Sequence, residues 1–421
     1  MYTAIAHIDD KPMERKQFWG MGFLREFYQR NLFERVIVYI FLSNLLVKII
    51  FELALGQWSF LQSQNKQWFF FIFLATDYLL SINKLAALKV TLNITSLYAV
   101  ILLIMVFHGL FVGISNHNAA FTIFNDTIPL LMISLNILRF QSISEYKPID
   151  YKFLLLACTY LSLGSCFFGY IAILLGKPSA PTVGSIAIFL PLLLSTIFCV
   201  RPLPKWIVLI GIIMLSLTIS EMNRTTLAFV AISLFIYAIR KILKRPATGL
   251  ILVILIFLSG ALMFFFLPEN SGTYRRIVGL YNVDLNNHAG SIGERQAEMQ
   301  AVQEKLDTLG TEAQWLGLGF GGVYEVQFTH VMLKDYGHAH YSWVWFNLRF
   351  GRIGYLYLFI MIFVLVYNVI IGLSRKDHFG IFISLLCFNC LVYCLTYVNS
   401  VFLLSGIPFF YLLDGKKNNE Q

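Results

Sequence analysis

Arg224, Arg295, His338 and His340 are residue types that together can bind an anion and move a proton. Arg295 closes the segment Ser291-Ile292-Gly293-Glu294-Arg295. Its Ser-x-x-Glu core is a capping-box pattern, which starts a helix. Free backbone N–H groups and the positive end of the helix dipole favour anions at such a place. Arg224 follows Glu221-Met222-Asn223. His338 and His340 lie in Gly337-His338-Ala339-His340, and imidazole is the side chain that exchanges a proton near neutral pH. Two guanidinium forks and a helix N-terminus match a diphosphate, which they can hold bidentately. An imidazole can then take the proton of an incoming hydroxyl. Arg349 and Arg352 are further basic residues whose roles the spacing leaves open.

Each piece also has a plainer reading. An arginine near the end of a membrane span, such as Arg224, often only anchors that span. Arg295 could be a surface residue paired with Glu294 or Glu298. The His-Ala-His pair could hold a metal with His330 or Asp335. The chain has no His-Glu-x-x-His and no second ligand cluster, which speaks against zinc hydrolysis. It has no Asp-x-Asp pair in the polar segment to hold a divalent ion on a diphosphate. Arginine would have to do that work here. Leu316-Gly317-Leu318-Gly319-Phe320-Gly321-Gly322 reads as a flexible turn and not as a P-loop, because it lacks the Gly-Lys-Ser/Thr ending.

The element that must position these residues is a membrane. Of 421 residues, 58% are hydrophobic and 13% charged, about half the charged share of a soluble domain. A span needs roughly 20 mostly apolar residues. The pattern gives twelve, near 36–55, 67–82, 90–114, 119–138, 153–175, 180–199, 205–220, 225–239, 247–267, 352–373, 379–396 and 399–414. The expected fold is all-α and polytopic, with about twelve transmembrane helices and one large loop. Residues 1–35 form an N-terminal segment, 36–267 carry nine spans, and 268–351 form the loop. Three more spans fill 352–414, and 415–421 are a tail. The N-terminal tail, alternate connections and the C-terminal tail hold 21 of the 32 Lys and Arg residues; the other short loops hold Lys66, Lys177 and Arg224. Positive charge stays inside. Both termini are therefore expected in the cytoplasm and the long loop outside, periplasmic in a Gram-negative cell. The net charge of +9 follows from this topology and is no sign of nucleic acid.

Smaller features complete the expectation. Residues 18–34 mix Trp19, Phe23, Leu24, Phe27 and Phe33 with charges, as in an amphipathic helix lying on the inner leaflet; a disordered tail is the alternative. No apolar run with a small-residue cleavage site marks a signal peptide in residues 1–35. The loop helix should run from Ser291 to about Leu309 and stop at Gly310, with an apolar stripe of Ile292, Met299, Val302, Leu306 and Leu309. Tyr341, Trp343, Trp345, Phe346 and Phe350 should lie at the outer interface, with His338 and His340 at headgroup depth. Lys48 and Glu52, four apart in the first span, should pair. Asp77 and Asp126 either mark a proton path or brace neighbouring helices. The six cysteines all fall inside spans, where the residue acts as a small hydrophobe.

With these motifs in order, the chain resembles the O-antigen ligase and polymerase superfamily of bacterial envelope glycosyltransferases. The resemblance covers the topology, with the large loop between the ninth and tenth spans. It is specific at three places. Asn223-Arg224-Thr225-Thr226 is similar to that family's Arg-Thr/Ala signature. Ser291-Ile292-Gly293-Glu294-Arg295 is similar to its Ser-Leu-Gly-x-Arg segment, followed by the Gly-rich turn. His338-Ala339-His340, with Gly351 and Gly354 eleven and fourteen residues after His340, matches its His-then-Gly-x-x-Gly spacing. The resemblance implies a glycan donor on undecaprenyl diphosphate, with Arg224 and Arg295 on the diphosphate and His340 near the acceptor hydroxyl. It implies a metal-independent glycosyltransferase of the bacterial inner membrane that uses no nucleotide and no other cofactor. A ligase acting on lipid A-core is the leading expectation, with a polymerase or a protein O-oligosaccharyltransferase as alternatives. Many relatives carry Asn after the histidine, where this chain has Tyr341. A transporter or flippase for a charged lipid or sugar is the competing class, with Asp77, Asp126 and the Lys48/Glu52 pair as its pathway.

Overall fold

The computed structural model describes residues 27–28, 30–56, 61–80, 94–142, 149–177, 291–327, 332–337, 339–374 and 378–396, with isolated residues between 188 and 258. Helix α1 spans Leu32–Val47 and continues as a π-helical segment, Lys48–Ala54. Helices α2 (Leu61–Leu80), α3 (Ile94–Ser115), α4 (Ala120–Ser142) and α5 (Tyr151–Leu174) follow. After them come α6 (Ser291–Leu309), α7 (Thr311–Leu316), a hairpin of β1 (Tyr324–Gln327) and β2 (Met332–Tyr336), and then α8 (Ser342–Ser374) and α9 (His378–Thr396).

Among the described residues, five helical segments are long and apolar enough to cross a membrane: Leu32–Ala54, Leu97–Ser115, Ala120–Arg139, Phe153–Leu174 and Ser342–Ser374. Trp68–Leu80 and Gly380–Val392 are shorter apolar helices. The chain is a membrane protein. Its helices expose large apolar side chains, such as Phe107 and Phe111 on α3 and Phe359 and Phe363 on α8, as lipid requires and water would not. The spans expected near 205–220 and 399–414 lie outside the described residues, and those near 180–199, 225–239 and 247–267 lie almost wholly outside them.

Buried charge holds the bundle at two levels. At the start of α1, Asn31 caps the helix by accepting from the Phe33 amide at 3.0 Å. Phe27, Phe33 and Glu34 are buried. The C-terminal part of the expected surface helix is thus part of the core, because α1 begins at Leu32 and turns Phe33 onto Phe382 of α9. Arg35 and Arg139 both pair with Asp77, at 3.0 and 2.8 Å. Lys48 and Glu52 pair at 2.8 Å, as their spacing requires. Beyond them Lys177 donates to the carbonyls of Leu53 and Ala54 at the end of the π-helical segment.

The described residues agree with an all-α membrane fold and add one short hairpin that was not expected. Its strands are only four and five residues long. Tyr324 and Val326 face inward while Glu325 and Gln327 are exposed, the period-two pattern of a half-buried strand. So brief an alternation is easily lost between a glycine turn and an aromatic helix.

Helix α8 is broken. Its 33 residues would reach about 50 Å, well beyond a hydrocarbon core of roughly 30 Å. Gly351 interrupts it with φ 57° and ψ −144°. Residues 352–374 alone reach about 34 Å, enough to cross. The aromatic stretch 342–350 is left as a separate helical segment. A side chain at Gly351 would meet the Gln314 and Trp315 carbonyl oxygens at 2.6 Å, so the break seats α7 directly on it.

Candidate functional site

The loop-side site is built from one face of α6 and the bend that precedes α8. On α6, Glu298, Val302 and Leu306 are buried, four residues apart as one helical stripe requires. Met299 and Leu309 are exposed, which corrects the expected apolar stripe. A carboxylate stands in the inward row where Met299 was expected, so the row turns toward Glu298. Burying a carboxylate without a partner is expensive, and Glu298 has two. Its Oε2 accepts the backbone N–H of His340 at 3.0 Å. Its Oε1 meets His340 Nδ1 at 2.7 Å. A carboxylate accepts, so Nδ1 carries the proton and the imidazole lone pair is on Nε2. The His340 side chain is 30% exposed and Glu298 1%. The pair therefore couples a buried, fixed acceptor to a ring that solvent or substrate can reach. The same carboxylate, after burial itself, pushes the Tyr324 phenol above its ordinary pKa.

Arg295 is three residues before Glu298 and shares its helix face. Its guanidinium carbon lies 5.3 Å from the centre of the Tyr341 ring. Tyr341 in turn stacks on Trp343, with ring centres 4.1 Å apart and planes 14° apart. Arg295 and His340 thus enter one neighbourhood from two elements. Helix α6 supplies Arg295 and Glu298, and the bend supplies Tyr341 and His340. Arg224 and His338, the other two expected members, lie outside the described residues.

The Gly-rich turn is pinned rather than flexible. All six backbone N–H groups from Gly317 to Gly322 donate within the protein. Gly317 donates to Ala313 O, Leu318 to Leu348 O, Gly319 to Arg349 O and Phe320 to Gly109 O, at 2.8 to 3.0 Å. Gly321 donates to Asp126 Oδ2 at 2.8 Å and Gly322 to Gly319 O at 3.3 Å. Asn118 Nδ2 donates to the carbonyls of Leu318 and Phe320, both at 2.8 Å. No N–H in this turn is left to cradle a phosphate. Gly319, at φ 70°, lies backbone to backbone on Gly113 of α3, where any side chain would collide. The glycines dock this turn onto the C-terminal end of α3 and the N-terminal end of α4.

Arg349 completes that dock. It is 2% exposed. Its Nε pairs with Asp126 Oδ2 at 2.8 Å, Nη1 donates to Gly322 O, and Nη2 donates to Gly337 O at 2.7 Å. All three nitrogens are engaged, which makes Arg349 a brace that holds Gly337 three residues before His340. Arg352, beyond the Gly351 break, is exposed with its guanidinium 5.2 Å from the Trp315 ring centre. The intramembrane groups weighed as a transport pathway are in place as ion pairs: Asp77 with Arg35 and Arg139, Asp126 with Arg349, and Lys48 with Glu52.

Sequence reasoning missed Glu298 as the partner of His340, and it named Asp126 and Arg349 without joining them. The signal for Glu298 was present. It precedes Val302 and Leu306 by four and eight residues, so it belongs to the buried stripe and must have a partner. Asp126 and Arg349 are 223 residues apart in sequence, and no local pattern joins them. Comparisons with known protein families, with curated proteins and with solved structures found no match to this chain.

Proposed function

We propose that this protein transfers a glycan from undecaprenyl diphosphate to an acceptor hydroxyl at the outer face of the bacterial inner membrane. The observation that carries the reading is the His340–Glu298 pair beside Arg295 on one helix face. In the reaction the acceptor oxygen bonds to the anomeric carbon of the donor sugar. The bond from that carbon to the phosphate oxygen breaks, and undecaprenyl diphosphate leaves with the electron pair. The hydroxyl proton passes to Nε2 of His340, and Glu298 steadies the imidazolium that results. Arg295, with Arg224 as the second expected fork, balances charge on the departing diphosphate. The leaving group is already good, so positioning and charge supply most of the catalysis. The motif resemblance and the inside-positive charge pattern support a periplasmic site with both termini cytoplasmic. The three motifs and the modest loop size favour lipid A-core as acceptor, in a ligase; a second lipid-linked glycan or a protein hydroxyl defines the polymerase and oligosaccharyltransferase alternatives.

Reconstitution in liposomes with lipid-linked oligosaccharide and each acceptor tests this directly. Transfer to lipid A-core is expected. His340→Ala should lower turnover by roughly 10²–10⁴-fold, the usual worth of a positioned proton acceptor, with donor binding retained. Glu298→Gln should also lower turnover, because an amide cannot stabilise an imidazolium. Arg224→Ala and Arg295→Ala should lower transfer strongly at unchanged expression. Activity in chelator is expected to stay at the untreated level; loss that zinc restores would move the His-Ala-His segment to metal chemistry. Gradient-driven uptake without transfer in the same liposomes would instead favour a transporter.

A further inference from the structure

We infer that Tyr341 is a positioning residue that keeps Arg295 off Glu298, and so keeps the guanidinium for an anion and the carboxylate for His340. The inference rests on the glycan-transfer reading above and concerns how its two halves stay separate. Arg295 and Glu298 are one helical step apart on α6, a spacing at which opposite charges pair. Glu298 is fully buried, and attraction to a nearby cation grows as the surroundings become less polar. Left alone, the guanidinium should fold onto that carboxylate. Yet among the described residues Arg295 forms no ion pair, and its guanidinium carbon lies 5.3 Å from the centre of the Tyr341 ring. That distance is within the range where the negative face of an aromatic ring attracts a cation. Trp343 stacks nearly parallel on Tyr341, 14° from coplanar, and so fixes the plane that Arg295 meets. Both oxygens of Glu298 are then taken by His340, one through the backbone N–H and one through Nδ1.

Four residues thus form two rungs between the same two elements. Glu298 holds His340, and Tyr341, the next residue, holds Arg295. Removal of the ring breaks both rungs. Arg295 turns onto Glu298, the anion loses its fork, and His340 meets a competing donor for the carboxylate that sets its tautomer. A residue that only filled space would not link donor affinity to turnover in this way, nor would its effect depend on the charge distribution over its ring.

The test is a graded one on the full-length protein in liposomes with lipid-linked oligosaccharide. Tyr341→Phe keeps the ring and should keep donor KM and kcat within about twofold. Replacement of Tyr341 by mono-, tri- and pentafluorophenylalanine keeps the shape but drains the negative face. Donor KM should rise stepwise along that series, by about fivefold or more at its end, while the melting temperature stays level. The inhibition constant of undecaprenyl diphosphate should rise in parallel. Tyr341→Leu should match or exceed the last member and lower kcat as well. A flat fluorinated series overturns the inference, whatever Tyr341→Leu does to folding. Wild-type donor KM and rate in Arg295→Ala overturn the glycan-transfer clamp itself, and the two failures are read from different variants.

Discussion

Asp77 and Asp126 are both intramembrane carboxylates neutralised by arginine, and they do different work. Asp77 lies near the end of α2, at the end of the bundle away from the loop. Arg35 of α1 and Arg139 of α4 hold its two oxygens, Tyr39 donates to it at 3.3 Å, and Arg139 also lies over the Tyr78 ring. The charged partners at that end belong to helices, and the cluster ties α1, α2 and α4 to one another. Asp126 lies at the other end of α4, roughly 20 Å along the helix from Arg139. Its partners are Arg349 and the amide of Gly321, and Arg349 goes on to Gly322 and Gly337. Here the ion pair ties a membrane helix to the loop that bears His340. The chemistry of the two pairs is alike. The contrast is in what is fastened, and only the second can pass a disturbance to the site.

Between these two ends, the largest expected effect comes from Asp126→Ala. It leaves Arg349 buried without its counter-charge, at a cost of about 3–5 kcal/mol. Transfer per folded molecule should also fall, by about tenfold or more if the misplacement reaches 1 Å at His340. Thermal unfolding in detergent beside the transfer assay separates the two. Asp77→Ala strips the counter-charge from two arginines and should lose stability of the same order, about 3–5 kcal/mol. Its rate per folded molecule should stay within twofold. A matching loss of rate in Asp77→Ala would erase the distinction between the ends.

A smaller effect sharpens the comparison on the loop side. Gly351→Ala forces a side chain into φ 57° and against the Gln314 and Trp315 carbonyls, which should cost about 1–3 kcal/mol. Rate and melting temperature should fall together, since the break seats both α7 and the helix that follows His340. Smallest of all, Asn31→Ala removes the α1 cap and should cost about 1 kcal/mol. Because it lies at the Asp77 end, transfer per folded molecule should not change, and a drop in rate there would show that the two ends are coupled.

By itself the sequence determined what short-range physics can determine. Apolar runs located the helices at 32–54, 97–115, 120–139 and 153–174, because lipid leaves a spanning chain few choices beyond a helix. The capping box and Gly310 bounded α6, and the four-residue spacing paired Lys48 with Glu52. The same rules put Arg295 at a helix start and His340 at the edge of an aromatic segment. They began a span at 352, but they could not say that the aromatic residues before Gly351 form a helical segment of their own. Nor could they say that the Gly-rich turn spends every amide on docking, because its acceptors come from α3, α4, α7 and α8 as well as the turn itself. Only the tertiary structure decided those points. It also decided that Glu298 holds His340 and that Arg349 serves as a brace, because each depends on groups tens or hundreds of residues apart meeting in a buried place where an unpaired charge is not tolerated.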